Sequence, residues 1–381
     1  MSVIIELKLP IDNSFTNLLL YEGVVYIIAE NWAAIKGNKI EISSDIFKKV
    51  YKELIQGRLS EIRINFTGKN DKVPVDGFLK MLKISAKEKI SNYGSLIELL
   101  YDNADKLKIN KNNIYLQLFI DKNISIGEPK LSRENGVSLQ LFKVERYTGL
   151  TSMELKYSDK QLTTYLSPEI VLIGLLGIYS SYVGTVREKN LEYYFLLFDS
   201  QEIAEIFSGY QNVKTIIDMK NKVRDELARI IGKYFSEELI IVEILVNIVL
   251  QEELNRCNIE KLSLILARIA HEGKTYKIYQ LIPITVRRSK IPAEVLHEVI
   301  SPDGVILSRM SRRENIEYNN LILAVNGLYR YVVLSDPQGL FMMIRELHNA
   351  YHKVLNDPKL KNIVDRYKTL LTKLSHLQYV T

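Results

Sequence analysis

The hydrophobic period of the chain changes near residue 200, and that change limits the architectures open to it. Before it, residues 2–9 (SVIIELKL), 61–67 (EIRINFT), 113–120 (NIYLQLFI) and 137–144 (VSLQLFKV) alternate apolar and polar side chains over strand lengths. A period of two puts one face of each strand on a core, so these segments read as half-buried strands. Between them, residues 17–35, 43–57 and 95–107 repeat apolar positions at helical spacing, the second with Ser43 or Ser44 as N-cap and Gly57 past its end. In 166–184, Ser167 can cap, Pro168 fits a first turn where its missing donor is harmless, and Glu169 suits the positive end of the helix dipole. Residues 191–198 (LEYYFLLF) read as a buried strand. The first domain, residues 1–200, is therefore expected to be α+β with a mixed or antiparallel sheet.

Beyond residue 200 helical patterns dominate. A long apolar helix is expected from Ser236, and EKLSLILARIAHEG (260–273) reads as another, stopping at Gly273 as a left-handed terminator. TYKIYQLIPITV (275–286) fits a strand or a continued helix equally, because a short apolar run does not fix its own period. A short helix at 291–301 with Pro292 in its first turn precedes three helices spanning 313–335, 336–356 and 357–377, the last two opened by Asp-Pro. The second domain, 201–381, is expected to be mainly helical and to end in a bundle from about residue 291.

A chain of 381 residues, 47% apolar and 25% charged, is long enough for two cores and too apolar for wholesale disorder. Its most apolar runs, 170–179 and 239–250, fall short of the roughly 18–20 residues that a membrane span needs, and the N-terminus has no export-signal pattern. With Cys257 as the single cysteine, no internal disulfide or thiolate metal cluster can form. A cytoplasmic protein without membrane contact is expected. The crowding of Ile, Leu, Lys, Glu, Asn and Tyr, with Cys, Trp and His scarce, suits a heat-loving source.

Catalytic signatures are absent from the sequence. Neither GxxxxGK[ST] nor GxGxxG occurs, so no glycine loop is available to bring backbone donors against a nucleotide phosphate. No GxSxG elbow presents a nucleophilic serine, and no strand ends in the Asp and Glu-x-Lys carboxylate set of metal-dependent nucleases. Glu202 and Glu205 lie one turn apart and read as a solvated helix face. His348 and His352 stand at i,i+4 and could face one metal ion, but HExxH and a third ligand are missing. No catalytic residue, cofactor or metal site is expected.

The basic segments carry the functional signal. Net charge is +6, with a pI near 8.9. VRRSK (286–290) and SRMSRR (308–313) place Arg287, Arg288, Lys290, Arg309, Arg312 and Arg313 in loops or helix starts on either side of the short 291–301 helix. Loops let guanidinium groups converge on phosphate in a way that a regular helix would spread around its circumference. The ordinary reading is pairing with Glu294, Glu298 and Glu314. Two Lys/Asn-rich loops, TGKNDK (67–72) with Lys69 and Lys72 and KLKINKNN (106–113) with Lys108 and Lys111, are further candidates for reading a groove edge, or plain hairpin tips. The closing helix, with Lys359, Lys361, Arg366, Lys368 and Lys373, adds positive surface.

Taken together, the α+β N-terminal part, the block LSPEIVLIGLLGIYSSYVGTVREKNLEYYFLLF and the basic helical C-terminal part resemble the large subunit of the archaeal type I-A CRISPR interference (Cascade) complex, the Csa-type family. The resemblance covers most of the chain as layout and carries over no individual residue. It implies a non-catalytic, antiviral-defence subunit that binds guide RNA and target DNA, helps recognise the protospacer-adjacent motif, and recruits the helicase and nuclease subunits. Base pairing reads the sequence in such complexes while the protein supplies a charged channel and a short duplex-reading element.

Two alternatives stand beside it. Arg345 and His352 in RELHNAYH resemble the Arg-to-His motif of HEPN-type ribonucleases, which cut RNA without metal at a dimer interface, although Glu346 departs from the residue usual after the arginine. A scaffold subunit that buries its apolar helical half against neighbouring proteins is the other.

Overall fold

A computed structural model describes residues 2–31, 34–86, 88–147, 163–187, 190–209, 212–231, 237–288, 304–310 and 312–377. An α+β N-terminal part with a mixed sheet precedes a largely helical C-terminal part that ends in packed helices, as the change of period predicts. Sequence places one boundary near residue 200. The chain divides instead into Met1–Arg224 with Ser263–Ile284, and Asp225–Leu262 with Thr285–Thr381.

The first unit opens with β1 (Ser2–Leu7), α1 (Phe15–Asn31), β2 (Ala34–Lys36) and β3 (Lys39–Ser43). Helices α2 (Ile46–Lys52), α3 (Gln56–Glu61), α4 (Lys69–Met81) and α5 (Tyr93–Asp102) lead to β4 (Asn113–Leu116). β1 lies antiparallel to β3 and parallel to β4, giving a mixed sheet of order β2-β3-β1-β4. Then β5 (Leu118–Ile120), β6 (Ile124–Ile126) and β7 (Thr164–Leu166) form a small three-stranded sheet. α6 (Pro168–Ser181), β8 (Tyr182–Arg187), β9 (Leu191–Phe198), α7 (Ser200–Gly209) and α8 (Val213–Ile230) follow, and the long strands β10 (Lys261–Glu272) and β11 (Thr275–Arg287) complete a third sheet of order β11-β10-β9-β8.

The core of this unit is built on α1 against α6. Their backbones approach so closely that a Cβ at Gly23 would lie 1.9 Å from the Ile173 carbonyl oxygen, and one at Gly177 2.0 Å from that of Leu19. Only glycine permits that crossing. Beside it, the Lys220 ammonium of α8 and the Glu22 carboxylate of α1 form an ion pair with no exposed surface. Ser180 Oγ donates to Glu22 Oε1 at 2.5 Å, and Phe198 N to Glu22 Oε2 at 3.4 Å. Burial pushes the Lys220 ammonium down to about 8, against the pull of Glu22.

Several expected elements take another form. Residues 61–67 are not a strand: Asn65 makes one isolated bridge, to Asn92. Residues 137–144 bridge once at Val137 and then turn into a 3-10 helix, Gln140–Tyr147. The 43–57 helix is two short helices, with Asp45 in place of Ser43 or Ser44 at the first N-cap and Gly57 inside the second. EKLSLILARIAHEG is strand β10, buried on both faces along most of its length, so it lacks the alternation that marks a half-buried strand. Gly273 does adopt positive φ, but in the turn between β10 and β11. The open choice at 275–286 resolves as strand.

In the second unit, α9 (Glu237–Val246) and α10 (Ile248–Arg256) divide the expected long helix at Asn247, whose side chain accepts from Leu250 N and caps α10. α11 (Val305–Met310), α12 (Tyr318–Leu334), α13 (Pro337–Val354) and α14 (Lys361–Leu377) follow. α12 and α13 cross at Gly327 and Gly339, where a Cβ on Gly339 would meet the Gly327 carbonyl oxygen at 2.5 Å. Asp336 caps α13 as the Asp-Pro start predicts, accepting from Gln338 N. The expected helix at 291–301 lies outside the described residues.

A candidate nucleic-acid interface

In the first unit the TGKNDK segment is helix, not a hairpin tip. α4 begins at Lys69, after Gly68 at φ 74°. Helical spacing sets Lys69, Asp76 and Lys80 on one exposed face with half-buried Lys72 at its edge beside Leu79, while buried Val75 and Phe78 face away. The helix is fixed from below by Asp71, which has no exposed surface. Asp71 Oδ2 accepts from Thr67 N and Thr67 Oγ1, both at 2.8 Å, while Oδ1 accepts from Tyr93 OH at 3.0 Å and Gln140 N at 2.8 Å. A buried carboxylate with four donors is satisfied, so its role is to hold α4 rather than to react.

Gln140 follows the segment that faces α4. Ser132 N and Oγ donate to Asn135 Oδ1 at 2.7 and 3.0 Å, and Gly136 N to the Ser132 carbonyl at 2.8 Å, closing a tight loop that exposes Arg133. Val137 and Leu166 then exchange backbone hydrogen bonds, which joins the loop to β7. Between α4 and this loop lies a cleft of about 330 Å³, lined among others by Val73, Asp76, Lys80, Arg133 and Tyr165. A second cleft of about 730 Å³ reaches the other flank of the same loop and is lined among others by Leu118, Phe119, Lys122 and Lys130.

Lys69, Lys72, Lys80, Lys122, Lys130 and Arg133 form no ion pair or side-chain hydrogen bond among the described residues. Other lysines of the same unit are paired: Lys48 and Lys52 each reach Asp105 at 2.8 Å. Lys111 belongs to that paired class, held between Glu128 and Glu169, so of the two lysines singled out in 106–113 only Lys108 stays exposed without a partner among the described residues. Cations left unpaired repel one another and raise the local potential, which is the condition for drawing in a polyanion. Lys80, Lys122, Lys130 and Arg133 escaped sequence reasoning because they are scattered singly; α4's helical period, obscured by Gly68, Pro74 and Gly77, would have found Lys80, and no local pattern marks the three loop residues.

In the second unit the arginines divide by role. Arg309 Nε donates to Glu317 Oε1 at 2.5 Å, and Glu317 is fully buried, so Arg309 is a structural partner. Glu314, the nearby acid expected to pair with these arginines, forms no ion pair among the described residues. Arg288 Nη2 donates to Asn258 Oδ1 at 3.2 Å and to the Ile259 carbonyl at 3.4 Å. Arg287, Arg312 and Arg313 are exposed and unpartnered among the described residues. Lys290 lies outside the described residues, as do Glu294 and Glu298.

Other candidates change standing. Glu202 is buried, accepting from Ser263 N at 2.9 Å, and is not on a solvated face. Arg345, His348, Asn349 and His352 share an exposed stripe of α13, with the two imidazole centroids 4.4 Å apart. Arg345 Nε donates to buried Glu346 at 3.0 Å, and about 10 Å of helix axis separates Arg345 from His352. Among the described residues no group of three or more His, Cys, Asp or Glu could hold a metal ion, and no helix is long and apolar enough to cross a membrane.

No protein-family model matches the chain, and no solved structure matches it. An uncharacterized protein of the archaeon Archaeoglobus fulgidus is 34% identical over 401 residues, an alignment that covers 97% of this chain and 99% of the relative. The chain belongs to one family with that Archaeoglobus fulgidus protein.

Proposed function

We propose that the chain is a non-catalytic nucleic-acid-binding subunit of a larger assembly, acting as its layout suggests: as the large subunit of a type I-A CRISPR interference complex that holds guide RNA and target DNA. The observation that carries this reading is the unpaired basic face of α4 and its flanking loop, preorganised by Asp71. Exposed Arg287, Arg312 and Arg313 of the second unit add phosphate-binding groups of the same kind. Recognition of the protospacer-adjacent motif and recruitment of the helicase and nuclease belong to the same proposal.

The test is binding of the purified chain to guide-loaded complex and target DNA across a salt series. Charge reversal at Lys69, Lys72 and Lys80 removes most of the salt-dependent affinity if the α4 face carries it. Unchanged binding refutes the assignment.

A ribonuclease reading keeps one observation in its favour, the shared exposed stripe of Arg345 and His352. RNA cleavage in EDTA that disappears in His352→Ala would establish it, and intact RNA removes it.

A further inference from the structure

The cleft between α4 and the Arg133 loop has the dimensions and chemistry for one small ligand. Its volume, about 330 Å³, sits at the low end of ligand pockets, which accommodates a single planar ring system with its sugar and phosphate, not a helix or strand of protein. Its lining combines three kinds of group. Lys80 and Arg133 supply cations, Asp76 an acceptor, and Tyr165 and Val73 an aromatic and an apolar surface.

We propose that this cleft takes a single unpaired nucleotide. The base enters beside Tyr165, which offers a stacking surface that every base can use. Asp76 accepts a hydrogen bond from an exocyclic amino group, the pairing by which carboxylates read cytosine. Lys80 and Arg133 meet the phosphate. A base within a duplex has its faces and pairing edge occupied and does not fit such a concavity without being turned out of the stack.

The cleft is preformed. Its two walls are joined behind it by the hydrogen bond from Gln140 N to Asp71 Oδ1 at 2.8 Å. Ser138 Oγ donates to the Thr164 carbonyl at 2.6 Å, and a Cβ on Gly136 would come within 2.9 Å of Tyr165 Cβ, so the loop rests directly against the aromatic residue. The cost of ordering the walls is met on folding rather than on binding.

Because an unpaired nucleotide in a strand and a free mononucleotide present the same chemistry, the experiment has an arm for each. The strand arm rests on the nucleic-acid-binding reading above. Fluorescence anisotropy of the full chain is measured with a short labelled single strand, with the blunt duplex of the same sequence, and directly with fluorescently labelled cytidine and adenosine monophosphates. The informative variant is Gly77→Phe. Gly77 lines the cleft, and a Cβ added there meets nothing within 4 Å, so the ring fills the cavity without removing a charge or straining the helix.

The expected result is that the single strand binds more tightly than the duplex, and that Gly77→Phe and Tyr165→Ser each weaken it ~10-fold while duplex binding stays as it was. Single-strand binding that Gly77→Phe leaves unchanged overturns the cleft and leaves the nucleic-acid reading standing. Monophosphate binding abolished by Gly77→Phe, with no strand bound, supports the cleft, assigns it a free nucleotide and overturns that reading. Absence of all binding overturns both.

Discussion

Asp71 Oδ1 accepts hydrogen bonds from the Gln140 backbone N–H at 2.8 Å and from Tyr93 OH at 3.0 Å, so one buried carboxylate joins α4, the Gln140 segment and α5. The unpaired lysines of α4 are placed by this group, which itself touches no solvent. Replacing Asp71 by Ala strands four donors. Hydrogen bonds to a charged group contribute roughly 1.5–3 kcal/mol each, and these are coupled, so Asp71→Ala is expected to cost at least about 3 kcal/mol. Urea unfolding checks it, and a loss below about 1 kcal/mol contradicts the account.

The Glu22 and Lys220 pair makes an opposite kind of prediction. Removing one partner leaves a buried charge uncompensated, so Lys220→Met alone is expected to cost about 3–5 kcal/mol. The double change Glu22→Leu with Lys220→Met removes both desolvation costs and is expected to recover most of that loss. Thermal unfolding of the cycle decides it: additive losses would mean that the two groups do not act as a pair.

Much of the fold could be read from the sequence where one period and one cap agree. β1, α1, α6 and β9 fall close to their expected places. Misreadings have physical causes. β10 was expected to be helix because Leu262 to Ile269 is apolar at nearly every position, and a strand covered on both faces has no alternation to show. α4 reads as a loop because Gly68, Asn70, Asp71 and Pro74 are all turn formers, yet Gly68 takes the N-cap position at positive φ and Asp71 accepts from Thr67 N. The candidate site was legible only through Lys69 and Lys72. The cleft that they lead to depends on Gln140 reaching Asp71 across 69 residues, which no local pattern records.

Arg309 and its neighbours separate fold from binding. Arg309→Ala leaves Glu317 buried without its ion-pair partner and is expected to lower stability by about 3 kcal/mol or more. Arg312→Ala and Arg313→Ala, both exposed, are expected to stay within about 0.5 kcal/mol of the parent while each reduces the salt slope of nucleic-acid binding by about 1. Calorimetry and a salt titration on the same three variants check this. A destabilising Arg312→Ala would contradict it.

Lys48 and Lys52 hold the Asp105 carboxyl down to about 2 from an ordinary value of 3.8. A group whose folded value is depressed contributes stability above its unfolded value and loses it as pH falls through the folded one. Asp105→Asn is therefore expected to flatten stability between about pH 4 and 2, with a small effect that salt suppresses, since the group is exposed. Stability profiles at low and high salt report it, and identical acid limbs with and without Asp105 would rule it out.

The proposed grip of the α4 face on nucleic-acid backbone is read out by the slope of log affinity against log salt for the full chain on a single strand. Each neutralised phosphate contributes about −0.7 to that slope on single strands, so replacing Lys69, Lys72 and Lys80 together by Gln is expected to make it shallower by about 2 with the fold intact. A parent slope near zero, or a triple variant with the parent's slope, contradicts the account.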